Sequence, residues 1–457
     1  MGFSRQRLLE IVSTLPKAPR WWVAYSGGLD SQVLLHALAS LRSQAVIPPF
    51  QALHVNHGLQ PEADAWAEQC RRFCEQQGIP LRVLPVTVTP ARGESLEAVA
   101  REQRYRAFAQ QMGAGDLLLT AHHQDDQAET VLLQLLRGSG LSGLAAMPAC
   151  TAFGPGSHAR PLLGFARTQL ADYARAEGLT WVEDPSNRNC SFDRNYLRQE
   201  VIPLLTRRWP ALGRTVSRTA RHCGEAQRLI DGLAATDLAQ LQREESRLEA
   251  AGLAALPPSR ARAALRAWIR ECGLPLPDAA HLDRVLTEVL TARPDRNPVV
   301  RWPGAELRRF RGRLWLSPPL PAFDPEAVLE WDGDTPLELP AGLGRLCVES
   351  GSGGIPKQTW SAGSVRVHFR AGGERCRPVG QGMTRSLKKL FQERAIPPWL
   401  RERVPLITID GQLAAVGDVW RCQPFQAAEG EASVILRWDH RPAGLPQVEE
   451  EIPPFNT

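Results

Sequence analysis

The chain has 457 residues, about three times the ~150 of a typical domain, so two or three hydrophobic cores are expected rather than one. With 43% hydrophobic and 23% charged residues it matches soluble globular proteins, and no run reaches the roughly 18 unbroken apolar residues of a membrane helix. The formal charge of +5 is a small difference between 54 basic and 49 acidic residues, so where charge gathers matters more than its sum. Nine scattered cysteines form neither a dense disulfide framework nor a paired CxxC zinc pattern, and the N-terminal segment lacks the apolar run of a secretory signal. A cytoplasmic protein is expected.

The first strand signal is WWVAY at residues 21–25, followed by short apolar runs at 52–56 (ALHVN), 81–86 (LRVLPV) and 116–121 (DLLLTA). Their starts lie about 30 residues apart, the length of a strand, a crossover helix and their loops. This predicts an α/β domain over residues 1–210, a parallel sheet with helices such as 31–41 and 62–77 on its faces. Ligands in such sheets bind beyond the carboxyl ends of the strands. Over residues 211–317 Ala, Arg, Leu and Glu at helical spacing predict a mostly helical second domain that closes on a small hairpin. Residues 318–358, with a Pro-rich start and the GSGG stretch 351–354, read as a linker. A small α+β domain is expected over 359–440. The Glu- and Pro-rich tail 441–457 is expected to be disordered. Between residues 366 and 403, ten Arg or Lys face three Glu, which reads as a phosphate-binding surface or as a solvated basic face.

The most informative stretch is SGGLDS, residues 26–31, between the first strand and the first helix. Gly27 and Gly28 let the backbone turn tightly, and the amides of the loop and of Leu29 at the helix start point outward as donors for phosphate. Ser26 and Ser31 add hydroxyls, and Asp30 supplies a carboxylate for Mg²⁺. A Walker loop is excluded, because no Lys follows a glycine anywhere in the chain. The single G-x-G-x-x-G match, Gly138, Gly140 and Gly143, follows a helical pattern instead of a strand and reads as a helix end.

The second constellation, HHQDDQAET at residues 122–130, starts where the fourth strand ends. If Gln124 opens a helix, Asp126 and Glu129 stand three apart and Asp125 and Glu129 four apart, on one face near its N-terminus. They attract a metal or an ammonium group, or Asp125 or Asp126 simply caps the helix. His54, at the end of the second strand in HVNHGL, is a candidate for the adenine or ribose, or a structural histidine. In ARxxRY, residues 100–105, Arg101 and Arg104 share one helix face with Tyr105 and offer phosphate contacts or a surface salt-bridge network.

SGGxDS after the first strand resembles the PP-loop of the N-type ATP pyrophosphatases, which cleave ATP between the α and β phosphates and transfer AMP to an oxygen. Together with HVNHGL, ARxxRY, HHQDDQAET, RGSGLSGLAAM, RPLL, EDPSN and RNYLR in that order, and TRSLKKLFQERAIPPWLRERVPLI near the end, the chain resembles the tRNA(Ile)-lysidine synthase family. The resemblance is dense over the first 200 residues or so and returns at residues 384–407. It implies ATP-dependent ligation of free L-lysine to carbon 2 of the wobble cytidine in the CAU-anticodon isoleucine tRNA, through an adenylated cytidine, with AMP and pyrophosphate released. It implies ATP and Mg²⁺ as cofactors, Asp30 holding the metal, and Asp126 and Glu129 handling lysine and its proton. Arg101, Arg104, Arg194 and Arg198 are then expected to contact tRNA near the cleft, and Arg385, Lys388 and Lys389 to hold RNA phosphates further away. The sequence allows a homodimer. Two rivals remain: a PP-loop cytidine thiolase, which needs a sulfur-carrying cysteine set where Cys70 and Cys74 offer only C-x3-C, and a non-catalytic tRNA-binding platform.

Overall fold

The computed structural model describes residues 2–441 except 45–46, 91–94, 186–188, 245 and 294–295. The chain divides into two compact units, residues 1–232 and 233–457. The division falls inside the 29-residue helix Leu212–Gln240, not at the expected 210. The expected tail, from residue 442 on, lies outside the described residues.

The first unit is built on a six-stranded sheet of β1 (Trp21–Ala24), β2 (Phe50–Asn56), β3 (Leu81–Pro85), β4 (Leu117–Leu119), β5 (Cys150–Phe153) and β6 (Gly156–Ala159), in the order β3-β2-β1-β4-β6-β5. All neighbours are parallel except the β5–β6 edge hairpin. The sequence predicts β1 to β4 as short runs rich in Val, Leu, Ala and Trp; β1, β2 and β4 lie inside the sheet, where such runs suit burial on both faces, whereas β3 is an edge strand and the inner strand β6 (GSHA) carries no such run. Helices α1 (Arg5–Ser13), α2 (Leu29–Ser40), α3 (Ala63–Gln77), α4 (Leu96–Gln111) and α5 (Gln124–Leu136) accompany it. One face packs Trp21, Val23, Leu117 and Leu119 with Val33, Leu34 and Leu38 of α2, and the other gathers Trp22, Leu53 and Leu118 with Phe108 of α4. The chain runs outward from β1 to β2 and β3, then returns to the other side of β1 with β4. The carboxyl ends of β1 and β4 are therefore the topological switch point, where loops diverge and leave a crevice. SGGLDS leaves β1 there and HHQDDQAET leaves β4.

The second unit departs from expectation in two ways. Residues 211–317 carry a five-stranded sheet as well as helices: Arg243–Glu244 and Arg247–Glu249 join the meander Val299–Trp302, Ala305–Phe310 and Arg313–Ser317. Helical periodicity masked strands this short. Its core sets Trp268 and Leu265 against Leu307 and Leu314. Residues 318–358 are not a linker. Strand Val328–Trp331 pairs with Val365–His368, and Arg345–Gly351 pairs along its whole length with Ser433–Asp439. Trp331, Leu339, Leu346 and Ile355 are buried with Leu406, Phe391 and Trp438 in one core. Even the GSGG stretch is engaged, since Ser433 Oγ accepts from Gly354 N at 2.9 Å and donates to Gly351 O at 2.7 Å. Pro and Gly mark turns between these strands, and their density hid the apolar alternation. Cys376 and Cys422, both buried in this core, form a disulfide that the cysteine count alone did not suggest.

Among the described residues no helix is long and apolar enough to cross a membrane. Leu346→Ala, at a fully buried position, should destabilise the second unit by about 2–5 kcal/mol in urea unfolding, where a linker position would change it by less than about 0.5 kcal/mol.

Candidate active site

The SGGLDS loop is held by its own hydroxyls. Ser31 Oγ donates to Gly28 O at 2.9 Å, accepts from Ser26 N at 3.2 Å and lies 3.1 Å from Ser26 Oγ. Gly27 adopts φ +82, and a Cβ there would stand 2.9 Å from Cys70 Sγ, so the position requires glycine. Its carbonyl accepts from Val182 N at 2.9 Å. Gly28 begins α2 without a side chain to cap it, so the first amides of the helix, those of Leu29 and Asp30 among them, face outward with the partial positive charge of the helix end. His54 is buried behind the loop: its Nδ1 lies 2.9 Å from Tyr25 O, an acceptor only, so Nδ1 carries the hydrogen and Nε2 alone is left for a ligand.

Asp30 connects this loop to the second constellation. Its Oδ2 lies 3.5 Å from Nε2 of His123, and the same nitrogen is 3.4 Å from Oδ2 of Asp126. His123 is 2% exposed and caps α5 itself: Nδ1 faces the amides of Asp125 and Asp126 at 3.2 and 3.4 Å, while Asp126 Oδ2 accepts from His123 N at 3.1 Å. Burial opposes a charge on this ring, but hydrogen bonds to Asp125 and Asp30 and the charges of Asp126 and Asp30 overcome it and lift the pKa to about 10. Protonation exchanges the two amide contacts for a charge-assisted one to Asp125 Oδ2 at 3.5 Å. Sequence reasoning passed over His123, although the paired histidines at the strand end were visible.

The carboxylates of α5 divide their work. Asp125 accepts from Arg167 N at 2.7 Å through the oxygen that also lies 3.5 Å from His123 Nδ1. Asp126 caps with one oxygen and offers the other to Arg198 NH2 at 3.0 Å. Glu129, 1% exposed, takes a two-pronged hold from Arg198, with Nε to Oε1 at 2.6 Å and NH2 to Oε2 at 2.9 Å, and Arg194 Nε stands 3.5 Å from Oε2. Arg198 sits in a wide π-type turn, Leu197–Val201, inserted after the helical turn Asp193–Tyr196 that carries Arg194. Such turns recur at functional sites. Burial pushes the Glu129 carboxyl above the usual carboxylate range, and Asp126 adds to this, while Arg198 and Arg194 pull the other way. The expected catalytic pair and the expected arginines thus meet each other directly.

Arg101 and Arg104 lie on α4, at the edge of the same crevice. Arg101 stacks 5.0 Å over the Tyr105 ring. Arg104 Nε is buried without a hydrogen-bond partner among the described residues, and burial, then the charge of Arg101, lowers its pKa. A buried guanidinium N–H left without an acceptor favours an anionic ligand. Lys388 and Lys389 are exposed on the helix Leu387–Glu393, whose other face buries Leu387, Leu390 and Phe391, and Arg385 is engaged by Glu393 at 2.9 Å. They belong to the second unit. A cavity of about 460 Å³ lined by Leu84, Val86, Gln103 and Gln110 contains none of these groups, whereas one of about 200 Å³ borders the loop at Tyr25, Gly27 and Gln32.

The fold and the loop define a PP-loop protein, and comparison with known families agrees: a family model described as a PP-loop domain matches residues 3–205. A model described as the TilS substrate binding domain matches residues 248–315, and one described as the TilS substrate C-terminal domain matches 365–438. The tRNA(Ile)-lysidine synthase of Coxiella burnetii is 44% identical over 93% of this chain and 94% of its own length. That of Methylococcus capsulatus is 43% identical over 91% and 95%. A solved U34-tRNA thiolase from Methanococcus maripaludis superposes with a TM-score of 0.40 at 17% identity, covering 48% of this chain and 77% of that one. The chain belongs to the tRNA(Ile)-lysidine synthase family.

Arg198→Met should raise the pKa of Glu129 further, as followed by ¹³C NMR titration of its carboxyl. A carboxyl raised above its unfolded value stabilises the fold only while protonated, so the loss of stability in this variant should be smallest at acid pH and grow as pH rises through that pKa.

Proposed function

We propose that this protein ligates L-lysine to carbon 2 of the wobble cytidine in the CAU-anticodon isoleucine tRNA, using ATP and releasing AMP and pyrophosphate. The observation that carries the reading is the bridge Asp30–His123–Asp126, which joins a phosphate-binding loop to an acidic helix across the switch point. One side suits the leaving pyrophosphate, the other an amine.

The amides and hydroxyls of Ser26, Gly27, Gly28, Leu29 and Ser31 hold the outer phosphates of ATP, and His54 Nε2 supports the nucleoside. Oxygen 2 of the cytidine attacks the α phosphorus and pyrophosphate leaves. A pyrimidine oxygen departs poorly, but as part of AMP it becomes a good leaving group. The lysine amine then attacks carbon 2, the carbon–oxygen bond breaks with its electron pair passing to AMP, and the amine gives up a proton. With a reference pKa near 10.4, that amine needs a carboxylate neighbour as base. Asp126 and Glu129 take this role, and the raised pKa of Glu129 suits a proton acceptor. The lysine ammonium would compete with Arg198 for these carboxylates, and Arg194 and Arg198, once displaced, would turn to tRNA phosphate.

Asp30 fits Mg²⁺: its Oδ1 is buried and has no hydrogen-bond partner among the described residues, and Mg²⁺ is commonly held by one or two carboxylates together with substrate phosphates. When bound, the ion would offset charge gathering on pyrophosphate. Arg101 and Arg104 contribute to holding the anticodon arm, and Arg385, Lys388 and Lys389 to holding tRNA phosphates elsewhere. The thiolase alternative is less well supported. Cys70 and Cys74 are buried, and burial pushes both thiols up to about 12, which keeps them protonated and poor sulfur nucleophiles.

Pyrophosphate release from ATP should require both L-lysine and the CAU isoleucine transcript, and Asp30→Ala should reduce it by at least about 100-fold, within the range of losing one electrostatic stabiliser. Release that ignores lysine but needs a sulfide donor would favour the thiolase. Tight tRNA binding without turnover would favour the platform. Separately, Lys388→Ala with Lys389→Ala should weaken tRNA binding and lower the slope of log K against log salt by about 1 for every phosphate no longer neutralised, with the lysine requirement unaltered.

A further inference from the structure

Beside the acidic helix runs a chain of hydrogen bonds outside the roles assigned so far. Arg160, buried at the end of β6, sends NH1 to Pro148 O at 2.8 Å and places NH2 3.1 Å from His158 Nδ1. His158 Nε2 lies 2.8 Å from Thr120 Oγ1, and Thr120 Oγ1 lies 2.7 Å from His122 Nδ1. The direction of every proton in this relay follows from its first member. A guanidinium can only donate, so His158 Nδ1 must accept, and the hydrogen of the neutral ring sits on Nε2. That hydrogen goes to Thr120 Oγ1. The threonine hydrogen, which has no other hydrogen-bond acceptor among the described residues, then goes to His122 Nδ1. His122 is left with its hydrogen on Nε2, the one ring nitrogen of the relay that has no partner among the described residues and is not sealed from solvent.

We propose that Arg160, His158 and Thr120 are positioning residues that lock His122 as a neutral Nε2–H donor, and that this donor is a catalytic hydrogen bond to an oxygen of the α-phosphoryl group that leaves as AMP. The surroundings choose the acceptor. The charges acting on the ring are, largest first, those of Asp126, Arg160 and Arg101, with His158 alongside, so two cations flank the ring against one carboxylate. An electron-rich anionic oxygen suits such a place. The neighbouring residue His123 reaches Asp30, and the ring of His122 feels Asp126 on one side and Arg160 and Arg101 on the other, so the donor stands beside the helix where the amine loses its proton, on the cationic flank of the crevice. Burial lowers the pKa of both His122 and His158 to about 3, with Arg160 and Arg101 contributing, which keeps the rings uncharged. His122 therefore retains its proton throughout. The carbon–oxygen bond breaks with both electrons going to the departing AMP oxygens, the amine proton goes to a carboxylate, and His122 only offsets the growing negative charge.

The inference rests on the proposed lysidine chemistry, and its test separates the two. With ¹⁵N-labelled histidine and no substrate, the ring nitrogens of His122 and His158, assigned by the signals lost in His122→Gln and His158→Gln, should both report the Nε2–H tautomer. Thr120→Val, which removes the link but keeps the shape, should leave His122 as a mixture. An Nδ1–H or charged His122 in the parent protein overturns the proposal whether or not the enzyme makes lysidine. In single-turnover lysidine formation, His122→Gln, whose amide N–H reaches the place of Nε2, should stay within about tenfold of the parent. His122→Asn, whose amide matches only Nδ1, should lose about 100- to 1,000-fold in rate, with the KM for ATP and tRNA within about threefold. Equal losses in both variants, or a loss confined to the KM for lysine, would overturn it, the latter by assigning the donor to the lysine carboxylate. A parent protein that forms no lysidine would sink the proposed function and leave the tautomer measurement standing.

Discussion

The arrangement of the first unit depends on one buried imidazole. His123 ends the β4 connection at the start of α5 and carries Nε2 to within 3.5 Å of Asp30 on the other side of the switch point. Two loops that leave neighbouring strands would otherwise diverge. Three carboxylates around a ring that is 2% exposed give it a reason to bear charge where burial alone would forbid it. The same contacts fix Asp126: one oxygen closes the helix and the other accepts from Arg198.

Charge in the crevice is segregated. On the α5 side Asp126 and Glu129 are matched by Arg194 and Arg198. On the α4 and β6 side Arg101, Arg104 and Arg160 gather with His57, His122 and His158, whose pKa values burial and the neighbouring cations lower to about 3 or 4. A half that is already neutralised favours exchange of one cation for another. A half that carries uncompensated cations favours anion binding. An adenylated base attacked by an amine presents both needs at once, with phosphoryl oxygens on one flank and an ammonium on the other, and the proposed reaction matches that division.

The second unit shows how a core can be assembled from segments far apart in sequence. Residues 345–351 pair with 433–439 through seven consecutive partners, and Trp438 Nε1 donates to Leu343 O at 2.6 Å. The basic helix Leu387–Glu393 rests on this core through Leu387, Leu390 and Phe391, which leaves Lys388 and Lys389 outward. Its surface charge is therefore presented by a rigid scaffold. Flexibility near the Pro- and Gly-rich segments is not needed to explain it.

Local chemistry made much of this legible in the sequence. Strands β1 to β4 of the first sheet announce themselves as apolar runs at crossover spacing, and SGGLDS and HHQDDQAET each carry their residue types within a few positions, so composition and spacing alone placed Asp30, Asp126 and Glu129 in the segments that follow β1 and β4. What spacing could not reveal was which groups meet across long sequence separations. Arg198 grips Glu129 from 69 residues away, and Arg160 orders the protons of His158, Thr120 and His122 through a strand pairing. The strands of 328–351 were hidden for the same reason, because their partners lie downstream, up to residue 439, and Gly and Pro dominate the local signal. Period and propensity act between near neighbours along the chain. Burial, ion pairing and the direction of a shared proton depend on who is adjacent in space, and only the tertiary structure decides that.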